Sequence, residues 1–154
     1  MSVDRAVSWA IVEKELEVVS ALNDANAWGV QLFPDELRFR THMKSSVDGE
    51  QYVLDVRCDD YKELPPFIEF VDPDSGALGT KHAYPKNGRS FFHAQPCICA
   101  PFSRKAYGQY NGPHSEWAMG NWMTLREGIN TLGDMLVLIQ TLINNPTAYN
   151  GRME

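Results

Sequence analysis

Cysteine is scarce in this chain of 154 residues, which contains only three, an odd number. A disulfide scaffold needs paired cysteines and an oxidising compartment, so the count instead favours a protein of the reducing cytoplasm. A long apolar run is missing as well, because charges interrupt the N-terminal stretch MSVDRAVSWAIVEKELEVV every few positions. This stretch is therefore predicted to be neither a signal peptide nor a transmembrane helix.

Clusters of basic residues are also absent. The chain has 20 acidic against 14 basic residues and a formal net charge of −6. A surface that follows nucleic-acid phosphates needs grouped Lys and Arg, so the charge argues against a nucleic-acid partner. With 44% hydrophobic and 22% charged residues, the composition is that of a globular protein, and the length predicts one domain over residues 1–154.

What the sequence does contain is two helical patterns that flank a set of strand patterns. Apolar residues recur every three or four positions from Ala6 to Leu22 and again in NTLGDMLVLIQTLINNP, where Thr131 and Asp134 form an N-terminal capping pair. Between them, ELRFRTHM, QYVLDVRC and PPFIEFVD have the short or alternating apolar patterns of strands, separated by turn signals. This order predicts an α+β fold with an antiparallel meander.

Periodicity disappears between Gly76 and Asn130, in a segment that we call the irregular segment. It holds three of the four histidines and the pair Cys97 and Cys99. Long irregular stretches inside compact domains are usually functional. Its aromatic residues predict burial instead of disorder; they are Tyr84, Phe91, Phe92, Phe102, Tyr107, Tyr110, Trp117 and Trp122.

The cysteine pair in FFHAQPCICAPF leaves several kinds of site open. Cys99 on a non-repetitive segment meets the access condition for a nucleophile, and Cys97, one strand step away, is expected to face inward. A buried and inert thiol is the plainer interpretation. A zinc site of Cys97, Cys99 and His93 with His82 or His114 is also conceivable, although Cys-x-Cys lacks the usual ligand spacing.

Other residues of these types have simpler expected places. Cys58, at the end of a strand, is expected to be core filler, and His42 to lie on the solvated side of its strand. Trp122 is expected in the core, whereas Trp117 is expected to shape a groove beside Cys99.

One stretch, YVLDVRCDDYKELPPFIEFVDP, resembles the ubiquitin-conjugating enzyme (UBC-like) family, in which a Tyr-Pro-x-x-Pro-Pro turn precedes an apolar strand. Tyr61, Pro65 and Pro66 match, and Lys62 stands where the first proline would be. Further on, Ile98-Cys99-Ala100 resembles the Ile-Cys-Leu-like motif that carries the nucleophile of the family, and Trp117 follows it.

The resemblance covers roughly Ala6 to Tyr149 and implies a UBC-like fold: N-terminal helix, four-stranded antiparallel meander, irregular active-site segment and C-terminal helix. The stretch TLGDMLVLIQTLINNPTAYNGR looks most like divergent bacterial members, such as those of anti-phage CBASS operons. The family implies neither cofactor nor metal and no membrane partner.

By this resemblance, Cys99 would carry the C-terminus of a ubiquitin-like protein or a cyclic-oligonucleotide synthase (CD-NTase) as a thioester and transfer it to an amine. An activating enzyme would be a further partner. The chain lacks the C-terminal Gly-Gly of a conjugated modifier, so it resembles the carrier and not the cargo.

The sequence departs from the family at the His-Pro-Asn motif, whose asparagine supports the oxyanion. Arg89, Ser90 and Phe91 occupy these positions. The nearest substitutes are His93 and Asn87, so the predicted catalytic residues are Cys99, His93 and Asn87, with His114 as another source of a donor or base. The missing asparagine also supports an alternative, a catalytically inactive UBC-like binding module.

Overall fold

The computed structural model describes residues 3–19, 28–87, 90–125 and 128–154, and of Asn87 only the backbone. The helices and strands, numbered along the chain, are α1 Arg5–Val19, β1 Gln31–Phe33, β2 Arg38–Lys44, β3 Gln51–Arg57, β4 Phe67–Val71, β5 Pro85–Asn87, β6 Phe92–His93, β7 Cys97–Ile98, α2 Trp122–Leu125, α3 Leu132–Ile143 and β8 Tyr149–Arg152. In these ranges no helix is both long and apolar enough to cross a membrane.

Strands β1 to β4 form an antiparallel sheet in sequential order, which confirms the α+β class and the four-stranded meander. The β2–β3 register runs from Arg38 opposite Arg57 to Lys44 opposite Gln51. Alternate residues of β2 are buried, whereas His42 is exposed as predicted. Because Leu37 ends the preceding 3-10 turn with φ 51°, the strand begins one residue after it.

The two long helices pack against each other, and α3 also contacts β2. The α1 side chains that face the core are Trp9, Val12, Leu16 and Val19, whereas Ala6 is exposed. The predicted end at Leu22 lies outside the described residues. Glu15 ties the elements together, because its carboxylate accepts hydrogen bonds from the Tyr61 hydroxyl at 2.7 Å and from the Leu132 amide at 2.8 Å.

Helix α3 begins with the predicted capping pair. The Asp134 amide donates to the Thr131 hydroxyl at 3.1 Å, and the Thr131 amide donates to the Asp134 carboxylate at 3.2 Å, so two amides without helical partners are satisfied. The chain then forms β8, which pairs antiparallel with β5. The sequence did not predict β8, because its four residues have no apolar alternation.

The irregular segment contains only short elements in its described residues, namely β5, β6, β7, α2 and several 3-10 turns. Most of its aromatic residues are packed inward, as predicted; Tyr84, Phe92, Phe102, Tyr107 and Trp122 are at most 1% exposed. The prediction is wrong for Tyr110, which is exposed. Phe70 of β4 contacts both Tyr84 and Phe92, with ring centroids 4.8 and 6.1 Å apart. The segment is thus anchored on the sheet that precedes it.

Candidate active site

The cysteine pair lies on and beside a two-stranded ribbon. β6 and β7 pair antiparallel, with His93 opposite Cys97. Cys97 is 1% exposed, which confirms that it faces inward, whereas Cys99 is half-buried just after the strand. The Cys99 amide donates to the Phe91 carbonyl at 2.5 Å, and this bond fixes the backbone that carries the thiol.

A second loop, residues 108–113, brings His114 to this thiol. The His114 amide donates to Ala106 O at 2.9 Å, and the Gly108 amide donates to His114 O at 3.3 Å. Gly112 packs so closely on the Lys105 carbonyl and on Ala106 that a Cβ there would overlap their backbone atoms. The position of His114 therefore depends on a close backbone approach that only glycine permits.

The side chains of Cys99, His114 and Glu116 form a chain of polar contacts. The Cys99 Sγ contacts His114 Nε2, and His114 Nδ1 lies 2.7 Å from Glu116 Oε1. A carboxylate accepts only, so Nδ1 carries the proton of the neutral ring and Nε2 presents its lone pair to the thiol. This is the order of nucleophile, base and orienting group that activates a cysteine.

Electrostatics keep the resting thiol protonated. Burial, and after it the negative charge of Glu116, raises the pKa of Cys99. The hydrogen bond from His114 lowers the pKa of Glu116, so this carboxylate is ionised at neutral pH. Any reaction of this sulfur as a nucleophile therefore requires a base that takes the thiol proton, and His114 Nε2 is the group in contact with it.

An aromatic pair holds the other side of the imidazole. The Trp117 indole stacks on the His114 ring with centroids 3.6 Å apart and an interplanar angle of 5°. Tyr107 meets the indole edge-on at 5.6 Å and donates its hydroxyl to the Pro101 carbonyl at 2.7 Å. Trp117 is therefore linked to the segment that follows Cys99, in agreement with the expectation that it lies beside this cysteine.

The two predicted partners of Cys99 have other surroundings. His93 Nδ1 accepts the Gln95 amide at 3.0 Å, which leaves the proton of the neutral ring on Nε2. His93 is thereby a hydrogen-bond donor at Nε2, and among the described residues the imidazole that contacts Cys99 is that of His114. Asn87 has its backbone in β5, but the oxyanion role predicted for its side chain lies outside the described residues.

The backbone amides of Cys99 and of the residue after it are already engaged in hydrogen bonds. Besides the Cys99 amide, the Ala100 amide donates to Ile98 O at 3.0 Å. An oxyanion on a Cys99 adduct therefore needs a side-chain donor or a shift of these amides.

The remaining cysteines and histidines do not join this site. Cys58 is fully buried, as expected for core filler, and burial raises the pKa of its thiol. His82 interacts instead with Asp74 and the Met153 carbonyl. In the part of the chain that the structure describes, no three His, Cys, Asp or Glu residues are grouped as a metal site would require.

Glu116 is the member of the site that sequence reasoning missed. A signal was present in the His-x-Glu spacing of PHSEW, which places a carboxylate two residues from the imidazole. From the sequence alone, nothing distinguished Glu116 from a carboxylate on the protein surface. In the structure its side chain is indeed 63% exposed.

Comparison with known proteins adds no relative: the sequence matches no protein-family model, and neither a similar curated protein nor a similar solved structure was found.

Proposed function

We propose that this protein is a cysteine acyltransferase of the ubiquitin-conjugating type, with Cys99 as nucleophile and His114, oriented by Glu116, as base. The observation that carries the proposal is the contact of Cys99 Sγ with His114 Nε2, together with the 2.7 Å hydrogen bond from His114 Nδ1 to Glu116. A thioester carrier requires an accessible sulfur and a group that takes its proton. The half-buried Cys99 and its imidazole partner meet both requirements.

In the first step, the sulfur attacks the activated carbonyl at the C-terminus of a donor protein while the thiol proton moves to His114 Nε2. The bond to the donor's leaving group, AMP or another thiolate, breaks and a thioester forms, while His114 Nε2 passes its proton to the departing group or to solvent and becomes neutral again. In the second step an amine attacks this carbonyl and loses a proton to His114 Nε2; the C–S bond then breaks, and the imidazolium returns this proton to the departing thiolate, which regenerates the Cys99 thiol and the neutral imidazole. His93, a donor at Nε2, and Asn87 are the proposed oxyanion partners.

The donor class follows from the sequence resemblance. We infer a ubiquitin-like protein or a cyclic-oligonucleotide synthase as cargo, in bacterial anti-phage (CBASS) defence in the cytoplasm. The order of one helix, a four-stranded meander, an irregular segment and a final helix supports this proposal, because the resemblance implies the same order.

The decisive experiment uses a peptide thioester that ends in Gly-Gly and has 2-mercaptoethanesulfonate as leaving group. We expect an acyl adduct on Cys99, found by peptide mass spectrometry and released by added thiol. His114→Ala should slow its formation by roughly 10²–10⁴-fold, the usual contribution of a general base. Cys97→Ala is the matched control, because it removes the neighbouring thiol of the same ribbon and should keep the adduct. An adduct that persists in Cys99→Ala would contradict the proposal.

A second candidate, an inactive binding module of the same fold, is favoured by the raised pKa of Cys99. It predicts a Cys99 that stays unmodified by the peptide thioester in the wild-type protein, and His114→Ala would then change nothing. The same adduct measurement thus separates the two functions.

A further inference from the structure

We propose that Trp117 is a positioning residue for His114, and that its stacked indole fixes the plane of the imidazole, the plane in which Nδ1 reaches Glu116 and Nε2 reaches Cys99. This inference rests on the proposed function for the use of His114 as a base. The geometry of the ring itself is independent of that use.

The first step concerns the freedom of the imidazole. A histidine ring turns about its terminal torsion, whose preferred angles are broad, so by itself the ring can rotate out of any one plane. A rotation out of the observed plane would move Nδ1 away from Glu116 and Nε2 away from Cys99. His114 is only partly buried, with a side chain 24% exposed, so the surrounding protein does not enclose the ring.

The second step concerns what does hold the ring. Trp117 covers one face of the imidazole at 3.6 Å with the planes only 5° apart. A stack this close makes contact over the whole ring and is lost when the imidazole leaves that plane. Glu116 binds one edge of the ring and restrains its rotation within the plane, whereas Trp117 packs on its face and restrains its rotation out of the plane.

The third step concerns what holds the indole. The Trp117 ring is met edge-on by Tyr107, which is 1% exposed and tied by its hydroxyl to Pro101 at 2.7 Å. Pro101 is two residues after Cys99. The buried Tyr107 ring therefore connects the indole that stacks on His114 to the backbone just after Cys99.

The experiment measures the tautomer of His114 by long-range ¹H–¹⁵N NMR correlation at neutral pH, which does not require an active enzyme. We expect the wild-type ring to carry its proton on Nδ1. In the Trp117→Leu variant the ring leaves the plane in which Nδ1 reaches Glu116, so both tautomers should appear. Trp117→Phe retains an aromatic face and should restore the wild-type pattern. A single Nδ1–H tautomer in Trp117→Leu would overturn the proposal.

A kinetic measurement accompanies the spectrum. The alkylation rate of Cys99 with iodoacetamide at pH 7 should fall roughly tenfold or more in Trp117→Leu, as expected when a catalytic group is displaced by about 1 Å. Trp117→Phe should stay near the wild-type rate. An unchanged rate in Trp117→Leu would contradict the proposal.

The wild-type protein offers a test that survives even if Trp117→Leu fails to fold. A stacked indole shifts the imidazole protons of His114 upfield and gives nuclear Overhauser contacts between the two rings; their absence would overturn the proposal. If the peptide thioester forms no adduct while the tautomer still responds to Trp117, the proposed function fails and the positioning role stands. If the adduct forms and the tautomer is indifferent to Trp117, the reverse holds.

Discussion

The sheet and the irregular segment are held together in different ways. β2 and β3 face each other over seven consecutive residue pairs, so each hydrogen bond of the ladder has neighbours of the same kind. The part of the irregular segment that carries His114 and Trp117 depends on single contacts, such as the Tyr107 hydroxyl on Pro101 and the close approach of Gly112 to Lys105. Redundant contacts make a frame tolerant of change, whereas single contacts let one residue decide where a catalytic group lies.

Arg104 is the clearest example of one residue that holds this part of the chain in place. Its guanidinium is 1% exposed and donates to Pro65 O at 2.8 Å, to Asp59 Oδ2 at 2.9 Å and to Asp59 O at 2.5 Å. It thereby joins the irregular segment to the turn between β3 and β4. Ala106, two residues after Arg104, provides the carbonyl that accepts the hydrogen bond from the His114 amide.

The largest effect is expected from Arg104→Met. The loss of three donors leaves two backbone carbonyls without partners, at a cost of about 2–4 kcal/mol in the free energy of unfolding. Urea denaturation measures this loss. The matched control is Arg57→Met, because Arg57 binds the same Asp59 at 3.1 Å but is 47% exposed, and should change stability by less than about 1 kcal/mol. Equal losses of unfolding free energy in the two variants would mean that the buried Arg104 contacts stabilise the protein no more than the exposed Arg57 contact does.

The second effect tests whether the loop contact places the base. Gly112→Ala forces a Cβ into the backbone of Lys105 and Ala106, so we expect a loss of about 1–3 kcal/mol from overpacking. His114 should also leave Cys99, and the iodoacetamide rate of Cys99 should approach that of His114→Ala. Gly120→Ala is the matched control, since a Cβ there meets nothing within 4 Å. A normal alkylation rate in Gly112→Ala would show that the loop does not determine the site.

The same division explains what the sequence could predict. Helices α1 and α3 and strands β2 to β4 follow from periodicity, because the pattern of buried residues is local to each element. β1 is three residues long and was expected only from the family resemblance. β8 forms by pairing with β5, more than 60 residues away in the sequence. A local sequence pattern cannot predict so distant a strand partner.

For the proposed site, the sequence pointed to Cys99 as the candidate nucleophile but did not find the imidazole that contacts it. Cys97 and Cys99 were separated correctly because strand alternation is local. His93 was predicted as a catalytic residue and His114 only as another source of a donor or base, since the distance from His114 to Cys99 depends on how loop 108–113 folds back. Glu116 went unnoticed because its role exists only once His114 is in place.

The smallest expected effect is on the pH dependence of Cys99 alkylation. It separates the contribution of burial to the pKa of this thiol from that of the Glu116 charge. Burial and, secondly, the charge of Glu116 raise the pKa of Cys99 above its ordinary 9.0. Alkylation requires the thiolate, so the rate should rise with pH and reach half its plateau above 9.0. By the same sign, the group favours folding below the unfolded-state pKa, and this contribution is lost as pH rises through the folded-state value.

Glu116→Gln removes the charge and keeps the burial. The half-plateau pH of Cys99 alkylation, followed by peptide mass spectrometry, should therefore fall and still remain above 9.0, because desolvation is the larger cause. Glu63→Gln, at an exposed position that is not among the causes of the shift, is the control and should leave the half-plateau pH unchanged. A rise in Glu116→Gln would mean that the carboxylate stabilises the thiolate through His114 more than it repels it. The imidazolium–thiolate pair would then be the resting state, and the base would act before the acyl donor arrives.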